Sequence, residues 1–381
     1  MTLVSVHRCT LYLLAGVLAV MPTASRADPP ADAAAMEQYR ILLEQYNRVH
    51  DVYASEVNAY WSSISEKRKL RNAKRSQGEA LSINDYVLEQ PPVYTGPPRP
   101  RNPAKPERPA YVPVVADFLA AAQYEFKFMP LLPQTDEEFK RAYARVARAA
   151  GLTRDQIVRI YSFEATGNGS YDVEAGLEYS KHRRAITTAL GYNQLLATNS
   201  VEIIAESGDE FVKYLRDRTV LLPDDQKAAL QNKIEIVRRM VGFARSVPDS
   251  WSQHEILANT EKGLGVHALN LDVDVGPLLQ TQKLLDSVVF ARRKGFAGTL
   301  TAAELEMMNL TGDGNGFDMV TMPLEWRDKV PTSNFFQPGG YADNPVAQHN
   351  NVVAKLIAAT DARMDEESKK PGAKELAALL H

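Results

Sequence analysis

A mainly α fold is predicted for this chain by three observations. Apolar residues recur every three or four positions along most of it, strand-like alternation is scarce, and the prolines concentrate in one short segment. At most a small β element is expected beside the helices. The chain has 381 residues, 45% hydrophobic and 24% charged, enough apolar material for one large core or two smaller ones. No repeat at solenoid periods is present.

Residues 1–27 read as a secretory leader. Arg8 supplies positive charge, Leu11 to Met21 form an apolar run too short for a bilayer span, and Ser25-Arg26-Ala27 offers small residues around a cleavage point. A periplasmic or secreted location is therefore expected; an uncleaved anchor is the alternative. Cys9 is the single cysteine and lies in this leader, so the mature chain is expected to lack disulfides, thiolate metal sites and a Cys nucleophile. The formal net charge is −3, and loss of Arg8 and Arg26 makes the balance more acidic, which argues against nucleic acid as a partner.

The segment 28–88 is predicted to be helical. Between Ala31 and Ala73 there is no Gly or Pro, and Tyr39, Leu42, Tyr46, Val49, Tyr53 and Tyr60 repeat at alternating spacings of three and four. Glu56 occupies the one skipped position, which favours a helix packed on its own protein; self-association or a protein partner through 31–73 is the other reading. The basic run Lys67-Arg68-Lys69, Arg71 and Lys74-Arg75 reads most simply as a solvated face, with contact to an anionic polymer as the other reading. Residues 89–113 form a connector with nine prolines from Pro91 to Pro113, a density that forbids helix and favours extended geometry.

The larger domain is placed at 114–365. Predicted helices are Val114 to Phe128, Asp136 to Ala150, Thr153 to Glu164, Val201 to Glu206, Asp209 to Arg218, Asp224 to Ser246, Pro277 to Lys294 and Thr301 to Leu310, several opened by Thr, Ser or Asp caps. The tail 366–381 is charged and is expected to fray.

Candidate chemistry starts at Thr153. The apolar side of its helix reads Ile157, Ile160 or Tyr161, and then Glu164, before the break at Gly167-Asn168-Gly169. A carboxyl on a buried stripe at the negative end of a helix dipole is disfavoured as the anion, which suits a general acid. The other reading pairs Glu164 with Arg159, Arg183 or Arg184. The second stretch is Gly191-Tyr192-Asn193-Gln194, whose Gln lies thirty residues after Glu164.

Together these two stretches resemble the lysozyme-like superfamily, especially its lytic transglycosylases, in which a helix-ending Glu is followed by Gly-Leu-Met-Gln and another helix. Glu164 matches the catalytic Glu, and Gly191 and Gln194 match the Gly and Gln. Tyr192-Asn193 replace Leu-Met, Ala165 stands where Ser commonly follows the Glu, and the longer interval implies an inserted loop around Tyr171 to Arg184. Ala268-Leu269-Asn270 is similar to a later Ala-Tyr-Asn element. The resemblance covers about Phe128 to Val275. It implies cleavage of the β-1,4 bond of peptidoglycan glycan strands with Glu164 as acid and then base and no cofactor. It implies substrate contacts from Gln194, Gly191, Tyr192 and Asn270, with Gln194 either hydrogen-bonding substrate or holding Glu164.

Asp172 and Glu174 are candidates for a second carboxylate in a hydrolytic muramidase, or are simply solvated loop residues. Tyr341, in the region Thr332 to Tyr341, either stacks on sugar or closes the domain core. The seven histidines show no metal-ligand spacing, so no metal is expected. Gly312-Asp313-Gly314-Asn315-Gly316 follows a predicted helix and lacks a Glu at the twelfth position of a calcium loop, so a flexible turn is expected. A non-catalytic envelope scaffold is the rival reading from another class.

Overall fold

The computed structural model describes residues 33–105, 110–167, 170–173, 177–178 and 184–380; the leader, Glu174 and Arg183 lie outside them. The mainly α expectation holds. The chain order is α1 Ala33–Ser76, α2 Val115–Phe126, α3 Asp136–Ala149, α4 Arg154–Glu164, β1 Leu177–Glu178, β2 Arg184–Ala185, α5 Ala197–Thr219 and α6 Asp224–Ala244. It continues with α7 Trp251–Ala258, α8 Glu261–His267, α9 Gly276–Arg293, α10 Ala302–Thr311, α11 Asp313–Thr321, α12 Leu324–Arg327, α13 Pro338–Ala342, α14 Pro345–His349, α15 Val353–Glu367 and α16 Pro371–Ala378. The β element is one antiparallel pair, Leu177 opposite Ala185 and Glu178 opposite Arg184. Among the described residues no helix is long and apolar enough to cross a membrane.

Two compact units are distinguished. The first takes in described residues 33–52 and 94–105. Within it Tyr46 and His50 stack at 4.8 Å, and Tyr94 meets Tyr46 edge-on at 6.0 Å. A Cβ at Gly96 would stand 2.6 Å from the Tyr94 hydroxyl and 2.7 Å from a Val49 methyl, so a larger residue there would have to move these side chains. Leu42 and Val49 of the apolar stripe stay exposed.

The second unit comprises residues 53–93 and the described residues of 110–380. One of its two apolar clusters gathers around Phe139, Tyr161, Tyr192, Leu305 and Leu356, the other around Val201, Leu215, Val237 and Leu279. Several sequence expectations need correction here. The basic run is not a solvated face: Arg71 is fully buried, with Nε 2.9 Å from Asp318 Oδ2 and its guanidinium 4.4 Å over the Tyr86 ring. Arg68 donates to the carbonyls of Asn334 and Phe336, and Lys74 pairs with Asp85.

The two short helices expected on either side of Gly208 are one helix, α5. Gly208 sits where a Cβ would run into Val241, so the glycine serves close packing of α5 on α6 instead of a break. Likewise the expected turn at Gly312 to Gly316 is only a one-residue hinge. Gly312 takes φ +81°, α11 starts at Asp313, and Gly316 lies against the Met308 backbone. The tail does not fray: α16 buries Ala373 and Leu376, and Glu375 receives Lys140 at 2.6 Å.

Candidate functional site

The helix α4 is opened by a reciprocal cap, Thr153 Oγ1 accepting from the Gln156 amide at 3.1 Å and Gln156 Oε1 from the Thr153 amide at 2.9 Å. Ile157, Ile160 and Tyr161 are completely buried, and this fixes the rotation of the helix so that its final residue, Glu164, lies on the same side. The chain then leaves through two left-handed residues, Thr166 at φ +53° and Gly167 at φ +57°. A Cβ on Gly167 would stand 2.9 Å from the Glu367 carbonyl oxygen, so the break is required by packing as well as by φ.

Glu164 is half-buried. Its Oε1 accepts from Asn309 Nδ2 at 2.9 Å, and its carboxyl hydrogen-bonds that of Glu306. Both partners come from α10, whose start is fixed by Thr301 Oγ1 accepting from the Glu304 amide at 3.2 Å. Glu306 is 1% exposed and also accepts from Asn309 Nδ2, at 3.4 Å. Burial pushes the Glu164 carboxyl well above the usual carboxylate range, opposed by the hydrogen bonds from Glu306 and Asn309 and by the charges of Lys283 and Arg363. Glu306 is pushed up further, because the neighbouring Glu164 charge adds to its burial.

Arg159, one of the three arginines expected beside Glu164, is not paired with it. Arg159 is held by Asp361 and Asp365, each at 2.9 Å, and among the described residues Glu164 forms no salt bridge. Arg183 and the side chain of Arg184 lie outside the described residues.

Lys283 and Asn309, which both act on Glu164, also line a cleft of about 550 Å³. Four carboxylates face it: Glu202 and Glu206 of α5, Asp286 of α9 and Asp313 of α11, together with Trp251 and Gln337. Burial and then repulsion from Glu206 push Glu202 up to about 7. Asp286 and Asp313 are likewise raised, by burial first. A second cavity, of about 570 Å³, lies against α6, but its Lys233, Arg218 and Asp274 are already paired: Lys233 bridges Asp272 and Asp274, and Arg218 also reaches Asp274. The first cleft has one cation, Lys283, among four acids, and is the better candidate for a polar ligand.

The stretch Gly191 to Gln194 forms a tight turn closed by paired backbone hydrogen bonds of 3.0 Å between Leu190 and Leu195. Gly191 takes φ +82° and Gln194 φ +46°. Gln194 is half-buried, and its Nε2 donates to the carbonyls of Gly191 at 2.6 Å and Val173 at 2.8 Å, which ties the turn to the loop carrying Asp172. Its donors do not go to Glu164.

Tyr192 and Asn270, expected to contact substrate, are buried and act inside the protein. The Tyr192 ring packs edge-on against Phe139, Tyr143 and Tyr161, and its hydroxyl donates to Asp136 at 2.8 Å. Asn270 belongs to a buried chain of amides. Gln280 Oε1 accepts from the Asn193 amide at 2.7 Å, Gln280 Nε2 donates to Asn270 Oδ1 at 2.7 Å, and Asn270 Nδ2 donates to Ser200 Oγ at 2.8 Å. His267 ends the chain, its Nδ1 2.8 Å from Ser200 Oγ and its Nε2 2.8 Å from the Thr188 carbonyl oxygen. Burial lowers His267 to about 4, so it is neutral. With Nε2 facing a carbonyl the proton sits there, and Nδ1 accepts from Ser200.

Tyr341 is 6% exposed and packs on Trp61 and Phe336, so it closes the core and does not line a sugar site. Asp172 is half-buried and, among the described residues, makes no hydrogen bond to Glu164; Glu174 lies outside them. The structure therefore brings Gly191 to Gln194 together with Asn270, and brings Glu164 to Glu306, Asn309 and Lys283 instead of to Gln194. Glu306 was legible by the signal that found Glu164: a Glu flanked by Ala302, Ala303, Leu305 and Met307, all buried.

No family model, curated protein or solved structure matches this chain.

Proposed function

We propose that the protein is an exported enzyme that cleaves the β-1,4 bonds of peptidoglycan glycan strands, resembling lytic transglycosylases, with Glu164 as acid and base. The observation that carries this reading is the state of Glu164. It closes α4 beside a carboxylate-lined cleft, among the described residues no cation is paired with it, and its burial favours the protonated form. A neutral carboxyl at the edge of a polar cleft can give its proton to a glycosidic oxygen and take one back in the second step. Chain order agrees: helix-ending acid, small antiparallel pair, tight Gly-x-x-Gln turn, next helix. Trp251 supplies an aromatic face to the cleft.

A hydrolytic muramidase is the second reading, favoured by one observation, the acids Glu202, Glu206, Asp286 and Asp313 on the cleft wall, any of which could activate water. The test is digestion of purified peptidoglycan by the full chain with mass analysis of the fragments. Anhydromuramic ends support the intramolecular route, reducing ends support hydrolysis, and absence of released fragments removes the enzyme reading in favour of an envelope-binding scaffold.

A further inference from the structure

Asn309 Nδ2 reaches both Glu164 Oε1, at 2.9 Å, and Glu306 Oε2, at 3.4 Å, so one amide is shared between two carboxyls that also hydrogen-bond each other. Two carboxylates in such contact cannot both be ionised, because a hydrogen bond between them requires a proton and the like charges repel in a site sheltered from water. The two members are not equivalent. Glu306 is 1% exposed, whereas Glu164 is half-buried and flanks the cleft residues Asn309 and Lys283. The remaining charges around the pair are Lys283 from α9, which acts on both carboxyls, and Arg363 from α15, which acts on Glu164. Arg363 favours the anion on Glu164, nearer the cleft, and Lys283 favours an anion on either member.

The geometry points to Glu306 as a positioning residue that keeps its own proton throughout and donates a hydrogen bond to Glu164. We infer this beyond the proposed role of Glu164, on which its catalytic meaning rests. When Glu164 releases its proton to the leaving oxygen, the C1–O bond breaks with its electron pair on the departing hydroxyl, and the substrate's own N-acetyl oxygen forms the new bond to C1, later displaced by the C6 hydroxyl. The carboxylate left on Glu164 then accepts from Glu306 and from Asn309. No proton leaves Glu306 at any stage. The pair thus divides the labour of a dyad: Glu164 exchanges protons, and Glu306 holds the geometry and stabilises the conjugate base.

The test is a ¹³C carboxyl NMR titration of the full chain, with Glu164→Gln and Glu306→Gln used for assignment. Glu306 should remain protonated at pH 7 while Glu164 ionises first. Glu306→Gln keeps a donor and should leave the Glu164 midpoint within about half a pH unit, whereas Glu306→Leu, which has none, should raise it by about one pH unit or more. If cleavage is observed, its alkaline limb should follow the Glu164 midpoint in Glu306→Leu and return in Glu306→Gln. An ionised Glu306 at pH 7, or Gln and Leu variants that shift Glu164 alike, overturns the assignment. The wild-type titration decides even if the Leu variant fails to fold. A protein that shows the expected titrations yet cuts no glycan sinks the enzyme reading and leaves the proton placement standing.

Discussion

The side-chain amide of Gln280 fills the space that a Cβ on residue 191 would occupy, and its Oε1 and Nε2 hold the Asn193 amide and the Leu190 carbonyl. The turn leading into α5 is therefore set by a residue ninety positions further along the chain. Gly191→Ala would both strain a φ of +82° and push Gln280 out of the network. It should destabilise the protein by about 1 to 3 kcal/mol, read by denaturant unfolding. Unchanged stability would show that Gln280 relaxes without cost.

Gln280→Leu keeps the approximate volume and removes the bonds to Asn193, Leu190 and Asn270. Leaving these buried groups unpaired should cost about 2 to 4 kcal/mol. The loss should exceed that of Gln194→Ala, whose two bonds come from a half-buried loop side chain. The reverse order of the two losses, again by denaturant unfolding, would argue against the network.

The buried Arg71 guanidinium is held by Asp318, by the carbonyls of Asp85 and Asn334 and by the Tyr86 ring. Arg71→Met leaves Asp318 with Arg75 as its remaining cation. A loss of about 3 kcal/mol in unfolding free energy is expected, and a loss under 1 kcal/mol would mean that Arg75 suffices.

Glu202 gives a pH-dependent prediction. Its folded value, about 7, lies above the ordinary 4.5, so the native state binds more protons than the unfolded chain between those values. Its contribution to stability is present below pH 4.5 and is lost as pH rises through 7. Glu202→Gln should therefore match the wild type near pH 4 and melt at a higher temperature at pH 8. Equal melting curves at pH 8 would contradict the burial of this carboxyl in the cleft.

The helical parts were legible where local chemistry decides them. Thr153, Thr135 and Thr301 cap helices where the caps predict them, and the stripe Ile157, Ile160, Glu164 reads correctly as the inward side of α4. Glycines misled twice for one reason. Gly208 and Gly316 stand at close helix contacts with Val241 and Met308, and a lone sequence cannot distinguish a glycine needed for space from one needed for φ. The site was legible only on its α4 side. Glu306, Asn309 and Lys283 come from helices more than a hundred positions beyond Glu164, and no spacing rule joins residues that only tertiary packing brings together. Tyr192 and Asn270, expected from the sequence to contact substrate, turn their side chains into the core.

The central claim is that Glu164 moves the proton. Its most direct test is the rate at which Glu164→Gln releases soluble fragments from purified peptidoglycan, compared with the wild type at matched thermal stability. The amide keeps the shape and can still accept from Asn309, but has no proton to give to a leaving oxygen. The expected result is a loss of at least about a hundredfold with the melting temperature held or raised, since a buried carboxyl is replaced by a neutral group. Cleavage at the wild-type rate by the folded variant would contradict the account.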